Sequence, residues 1–313
     1  MRDTESRSAA DQSLLALLRR LDHEGYDVVT PTPATHARVL ARSALRTGCS
    51  LRDILGWSLP FKAADAPAHL VDMLQAAGLL QPCAEGLKSA VRVSRLHGRL
   101  FLHSAYPTEQ RDAVFLGPDS YRFADFIAGE LSGEERGPVV DIGAGAAVGA
   151  IVAAGIAPGA RVIATDINPR ALRFARVNAA HAGLAIETLK ADGLEGAPER
   201  LEVALANPPY MVASDQTYRD GGALHGARVS LDWTAAALPR LAPGGRLLLY
   251  TGSAIVDGCD RLRAALEDLA ARTGCALRYR EIDPDVFGEE LETPAYAEVE
   301  RIAVVGAVIT KPT

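Results

Sequence analysis

From residue 138 onward the chain keeps one rhythm, in which short apolar runs alternate with segments of helical spacing. The runs are "PVVDIGAG", "ARVIATD", "LAIETLKAD", "LEVALANPP" and "GRLLLYTG", and residues 146–155, 169–182 and 229–241 carry the helical pattern between them. A parallel strand needs a long crossover and a helix supplies one, so this alternation predicts a parallel sheet with helices on both faces. The final pair, "CALRYREID" and "AEVERIAVVGAVITK", alternates in the manner of a closing antiparallel hairpin, with the acidic loop "PDVFGEELETPAY" between them. Ligands of open α/β sheets sit beyond the carboxyl ends of the strands. The residues that follow each apolar run are therefore the first candidates for chemistry.

The preceding part of the chain reads differently. Leu14, Leu17, Leu18 and Leu21 fall at helical spacing up to Gly25. Further helices are expected after Pro33, in "SLRDILGW" behind a Ser50 cap, and in "APAHLVDMLQAAG". "LKSAVRVSRLHGRLFLHSA" then alternates with period two and carries "HG" near its middle, which predicts a β-hairpin. Helices followed by a hairpin describe a winged-helix-like α+β unit. The expected division is a tail at 1–12, a winged-helix-like dimerisation or substrate-lid domain at 13–112, and a catalytic domain at 113–313.

Composition narrows the partners expected. The net charge is −6. Residues 1–120 hold 14 Lys/Arg against 13 Asp/Glu, and residues 121–313 hold 19 against 26, so neither part presents an overall basic surface. That balance disfavours nucleic acid and favours a small-molecule or amino-acid-like substrate. The four cysteines are far apart without a CxxC, which predicts unpaired, mostly buried thiols and no metal site. "MRDTESRSAADQS" lacks the apolar core of a signal peptide, and no apolar run reaches the roughly 20 residues that span a bilayer. A cytoplasmic protein without membrane contact, and a homodimer, are the expectations.

Four strand ends carry candidate residues. After the first comes "DIGAGAAVG": Gly143 and Gly145 let the backbone turn tightly and approach a ligand, Ala144 lies between them, and Asp141 can accept from loop amides or a ligand ammonium. This pattern alone suits NAD, FAD and S-adenosylmethionine alike. Asp166, 25 residues beyond Asp141, stands where a carboxylate can grip both ribose hydroxyls, with Ile167 next to it; alternatively it caps the helix near Pro169, a task Asn168 can also do. Asp192 and Gly193 end the third run, where Asp192 can accept from an adenine amino group or simply make an Asp-Gly turn. The fourth run ends in Asn207-Pro208-Pro209-Tyr210. Asn207 offers a side-chain carbonyl and Pro208 a backbone carbonyl, two rigidly held acceptors for a planar NH₂ group, and Tyr210 can stack on the group that bears it.

Together, Asp141/Gly143/Gly145, Asp166, Asp192 and Asn207-Pro208-Pro209-Tyr210 resemble the class I S-adenosylmethionine-dependent methyltransferases, in particular the NPPY branch that includes glutamine-N5 and adenine-N6 enzymes. The resemblance covers about residues 115–313. It implies a Rossmann-like seven-stranded sheet, S-adenosylmethionine as cofactor, and methyl transfer to a nucleophile beside NPPY. By position it places Asp141, Gly143, Ala144 and Gly145 at the methionine part of the cofactor, with Asn207 adjoining. Asp166 and Ile167 fall at the ribose side, and Asp192 and Gly193 at the adenine. Two departures stand out. Ala147 replaces the third loop glycine, with Gly149 two residues on, and "AVFLGPDSYRFADFI" lacks the Pro-Glu-Thr-Glu-like signature of the glutamine enzymes.

The expected reaction is methylation of an amide or amine nitrogen, with Asn207, Pro208 and Tyr210 as the catalytic set. Tyr121, Pro209, Tyr218, Arg219, Asp220 and His225 are candidate substrate contacts, and the glycine-rich "TYRDGGALHG" is a candidate lid. S-methylation of a thioether amino acid, protein-glutamine N5 methylation and nucleic-acid adenine N6 methylation are alternatives. A nicotinamide-dependent oxidoreductase is a further one, and it leaves NPPY unexplained.

Overall fold

The computed structural model describes residues 8–42, 50–108, 110–212 and 220–313. Helix α1 (Ala9–His23) starts where the Ser8 hydroxyl accepts from the Asp11 amide, so residues 9–12, expected as tail, are helical. Helix α2 (Pro33–Leu40) begins with proline behind a Thr32 cap. Helix α3 (Leu51–Leu55) opens with a reciprocal Ser50/Asp53 capping box, and α4 (Ala68–Ala76) follows. Two hairpins come next. The first, β1 (Leu80–Cys83) with β2 (Gly86–Ser89), was not legible in the sequence. The second, β3 (Val91–Leu96) with β4 (Arg99–Ser104), is the expected one, and positive φ at both His97 (45°) and Gly98 (74°) matches the two-residue turn that suits strand twist.

Helix α5 (Pro118–Glu130) leads into the sheet domain. There β5 (Pro138–Ile142), α6 (Val148–Ile156), β6 (Arg161–Asp166), α7 (Pro169–His181), β7 (Glu187–Lys190) and β8 (Leu201–Ala206) succeed one another. They are followed by α8 (Arg228–Ala237), β9 (Leu241–Val256), β10 (Cys259–Asp260), α9 (Arg261–Thr273), β11 (Ala276–Asp283) and β12 (Arg301–Thr310). The sheet order is β7-β6-β5-β8-β9-β12-β11, with the two-residue β10 as an adjunct of β9. Strands β5 to β9 pair in parallel, and β12 pairs antiparallel with both β9 and β11. This is the expected α/β architecture, a Rossmann-like mostly parallel sheet closed by a hairpin. The order reverses between β5 and β8, and that crevice is where such sheets bind ligands.

One apolar core runs from the helices of the first unit into the sheet. Leu14, Leu17 and Leu21 of α1 belong to the same buried cluster as Val139 of β5 and Phe174 of α7. Asn178 of α7 fastens the two parts. Fully buried, its side chain accepts from the Leu102 amide at 2.8 Å and donates to the Leu102 and Ala146 carbonyls at 3.1 and 3.0 Å. The cysteines depart from expectation, because Cys259 is exposed and Cys83 and Cys275 are half-buried; Cys49 lies outside the described residues. No helix among the described residues is long and apolar enough to cross a membrane.

Candidate active site

Strand register brings the candidate residues to one edge. Ile142 pairs with Thr165 on one side and Ala206 on the other, and Thr165 pairs with Leu189. The residues just past these positions, Gly143, Asp166, Asn207 and Asp192, therefore rim a single crevice.

The glycine loop is built from its own hydrogen bonds. Asp141 is 1% exposed and accepts from the Ala150 amide at 2.8 Å, so it braces the loop from beneath. A Cβ on Gly149 would come within 2.8 Å of that carboxylate, which is why glycine stands there. Burial pushes the Asp141 carboxyl up to about 7, the Ala150 bond opposing it and the charge of Asp166 adding to it. Gly143 (φ 63°) and Gly145 (φ 54°) occupy the left-handed region. Ala147 does too (φ 61°, ψ 34°), adopting as the N-cap of α6 the conformation the missing glycine would have taken freely. The Ala144 amide bonds the Thr165 carbonyl at 2.9 Å.

At the end of β6, Asp166 accepts from the Gly145 amide at 2.9 Å and the Asn168 amide at 2.8 Å. Burial raises its carboxyl, and those amides oppose the rise. Asn168 is the cap of α7, so Asp166 is not consumed by that task. Ile167 beside it is 64% exposed. An isoleucine left in water forgoes about 1–2 kcal/mol of burial, and the apolar face of a heterocycle would cover it. Asp192 is exposed with no side-chain hydrogen bond among the described residues, while the Gly193 carbonyl accepts from the Thr165 hydroxyl at 2.8 Å. The glycine turns, the exposed isoleucine and the two rim carboxylates are a donor set and shape that fit a nucleoside bearing an amino-acid tail.

At the end of β8, Asn207 is half-buried, and neither its side-chain amide nor the Pro208 carbonyl has a hydrogen-bond partner among the described residues. Pro209 is half-buried. Tyr210 is placed differently from a wall open to solvent, because only 7% of it is exposed. Its ring lies against Gly252, where a Cβ would meet it at 2.3 Å, and edge-on to Phe287 at 6.0 Å. Its hydroxyl donates to Asp119, whose other oxygen accepts from Tyr250 at 3.1 Å. Asp119 sits in the first turn of α5, and burial raises its carboxyl against the pull of those two hydroxyls. Arg122 stands 3.6 Å from Asp119 and 2.8 Å from Asp283.

Asp119 and Tyr250 were missed in the sequence. The signal available was the "GPDS" helix start, which places an acid in a first turn.

The remaining substrate candidates are dispersed. The Tyr121 hydroxyl accepts from the Thr30 amide at 3.1 Å and so faces the first unit of the chain. Asp220 accepts from the Gly222 amide at 3.0 Å, within its own turn. His225 lies 3.3 Å from Glu298 and 6.2 Å from the Tyr296 ring. Tyr218 and Arg219 lie outside the described residues. The described glycines of the expected lid serve close packing: Cβ atoms on Gly221 and Gly226 would strike the Tyr210 backbone at 2.6 and 2.1 Å.

Residues 119–256 match the model of the Methyltransferase small domain family. The chain is an S-adenosylmethionine-dependent methyltransferase. The methyltransferase is 28% identical to a release factor glutamine methyltransferase of Deinococcus radiodurans, over 83% of this chain and 90% of that one. It is also 28% identical to ribosomal RNA small subunit methyltransferase C of Pseudomonas aeruginosa, over 63% of this chain and 51% of that one. A solved transferase from Pyrococcus horikoshii shares the fold with TM-score 0.51 at 12% identity, covering 97% of this chain and 100% of that one.

These relatives correct the expected partners of the methyltransferase. One is named for a protein substrate and the other for ribosomal RNA, which overturns both the small amino-acid-like partner and the expectation that nucleic acid is disfavoured. The expectation failed because whole-chain charge is an average, whereas a docking surface is local.

Proposed function

We propose that the methyltransferase modifies the side-chain amide nitrogen of a glutamine presented by a protein. The observation that carries this reading is the pair of uncommitted acceptors, Asn207 Oδ1 and the Pro208 carbonyl, at the switch point of the sheet. The glutamine methyltransferase relative, which extends over 83% of the chain, supports it.

Residues 143–145 would flank the methionine part of the cofactor, with Asp141 bracing them. Asp166 would take the ribose hydroxyls, and Ile167, Asp192 and Gly193 the adenine. When bound, S-adenosylmethionine supplies a sulfonium methyl already activated for displacement. An amide nitrogen is a poor nucleophile because its lone pair is shared with the carbonyl. Two acceptors on its N–H groups return electron density to it and fix its direction, and in-line placement supplies much of the acceleration. Transfer would form the N–CH₃ bond at the expense of the S–CH₃ bond, leaving S-adenosylhomocysteine as product, and the held nitrogen would lose its proton to water. Tyr210, held by Asp119 and Gly252, sets the position of the Asn207-Pro208 turn. The unit at 13–112 is assigned to covering the substrate, because α5 joins it to the site through Tyr121 and Asp119.

Incubation with labelled cofactor and a glutamine-bearing peptide should place label on glutamine, and Asn207→Ala should lower turnover at least a hundredfold with S-adenosylhomocysteine affinity little changed. Label on an RNA oligonucleotide instead of the peptide would replace the glutamine reading.

A further inference from the structure

We propose that Trp233 is a wall of the base-binding end of the cofactor site, with its indole N–H the donor for an adenine ring nitrogen; this rests on the methyltransferase reading above. Trp233 belongs to α8, an element with no candidate residue in the sequence, yet its ring reaches two strand ends at once. A Cβ on Gly143 would meet indole Cη2 at 2.4 Å, and a Cβ on Gly193 would meet Nε1 at 4.0 Å. The indole therefore spans from the turn after β5 to the turn after β7, across the end of β6 that carries Asp166 and Ile167.

Trp233 is half-buried among Leu189, Leu194 and its neighbours, and its Nε1–H donates to no described residue. That nitrogen is not one of the buried unpartnered side-chain atoms among the described residues, so its N–H is open to solvent and to a ligand. Asp192, exposed one residue before Gly193, is an acceptor on the same turn. A free acceptor and a free donor beside one turn match the adenine edge, which offers an amino group and ring nitrogens. Gly143 is glycine for this reason as well as for its φ of 63°, since any side chain there would displace the indole.

The test uses tryptophan fluorescence and calorimetry on the full chain, which has two tryptophans, Trp57 and Trp233. Titration with S-adenosylhomocysteine and with adenosine should change the fluorescence saturably, and homocysteine should not. In Trp233→Phe the fluorescence response should vanish while calorimetry still shows binding, about fivefold weaker for the lost donor. Trp233→Ala, which also loses the ring face, should bind at least tenfold more weakly. An undiminished response in Trp233→Phe, or a wild-type Kd in a folded Trp233→Ala, overturns the assignment. If the wild-type chain itself does not bind S-adenosylhomocysteine by calorimetry, the cofactor reading fails instead.

Discussion

At the scale of single residues, the site depends on buried carboxylates that hold other groups in place. Asp119 is 5% exposed and has both oxygens engaged by tyrosine hydroxyls. Asp119→Asn keeps the shape but turns an NH₂ toward one hydroxyl, stranding a buried donor; a stability loss of about 1–3 kcal/mol by denaturant titration is expected. Turnover should fall as well, because Tyr210 loses its anchor. A variant with wild-type stability and turnover would show that Asp119 does not position Tyr210. Asp141 gives a pH signature. Its folded value, about 7, lies above the unfolded value of 3.8, so between those values the native state holds more protons than the unfolded state. Its contribution is therefore fully present below pH 4 and is lost as pH rises toward 7. Asp141→Asn should flatten that part of the stability profile, and an unchanged slope would contradict the raised value. Ala147→Gly relieves left-handed backbone, and a gain of up to about 1 kcal/mol is expected in the same titration.

At the scale of elements, the strands from β5 to β9 and the closing β11–β12 pair were legible because apolar runs and helical spacing alternate there without ambiguity. Helices α5 and α9 were not read, although each buries an apolar stripe. The β1–β2 hairpin was hidden by its short, half-exposed strands, which bury little and so leave no apolar period. The site was legible where a special backbone or a rare residue pair marks it, as at Gly143, Gly145 and Asn207-Pro208. It was not legible where the arrangement rests on which way a common side chain turns, as with Asp119, Tyr250 and Trp233. Tyr210 shows the same limit from the other side: the sequence named it, and only the fold shows its hydroxyl directed inward. The glycines at 221 and 226 show that a glycine-rich segment can be tightly packed. Gly226→Ala should lower the Tm measurably, because its φ is 89° and a Cβ would strike the Tyr210 carbonyl at 2.1 Å; an unchanged Tm would contradict that packing.

At the scale of the whole molecule, the two units share one core, and Asn178 joins a hairpin of the first to the glycine loop of the second. They should unfold in a single calorimetric transition, and Asn178→Ala should lower its Tm without splitting it; two resolved transitions would contradict the shared core. That coupling packs the first unit and the sheet that carries the crevice around one core. The most direct measurement is mass spectrometry of a glutamine-bearing peptide after incubation with the enzyme and S-adenosylmethionine. One added methyl group on the glutamine side chain, absent with Asn207→Ala, is the predicted result. An unmodified peptide beside a methylated RNA oligonucleotide, or full modification by Asn207→Ala, would contradict it.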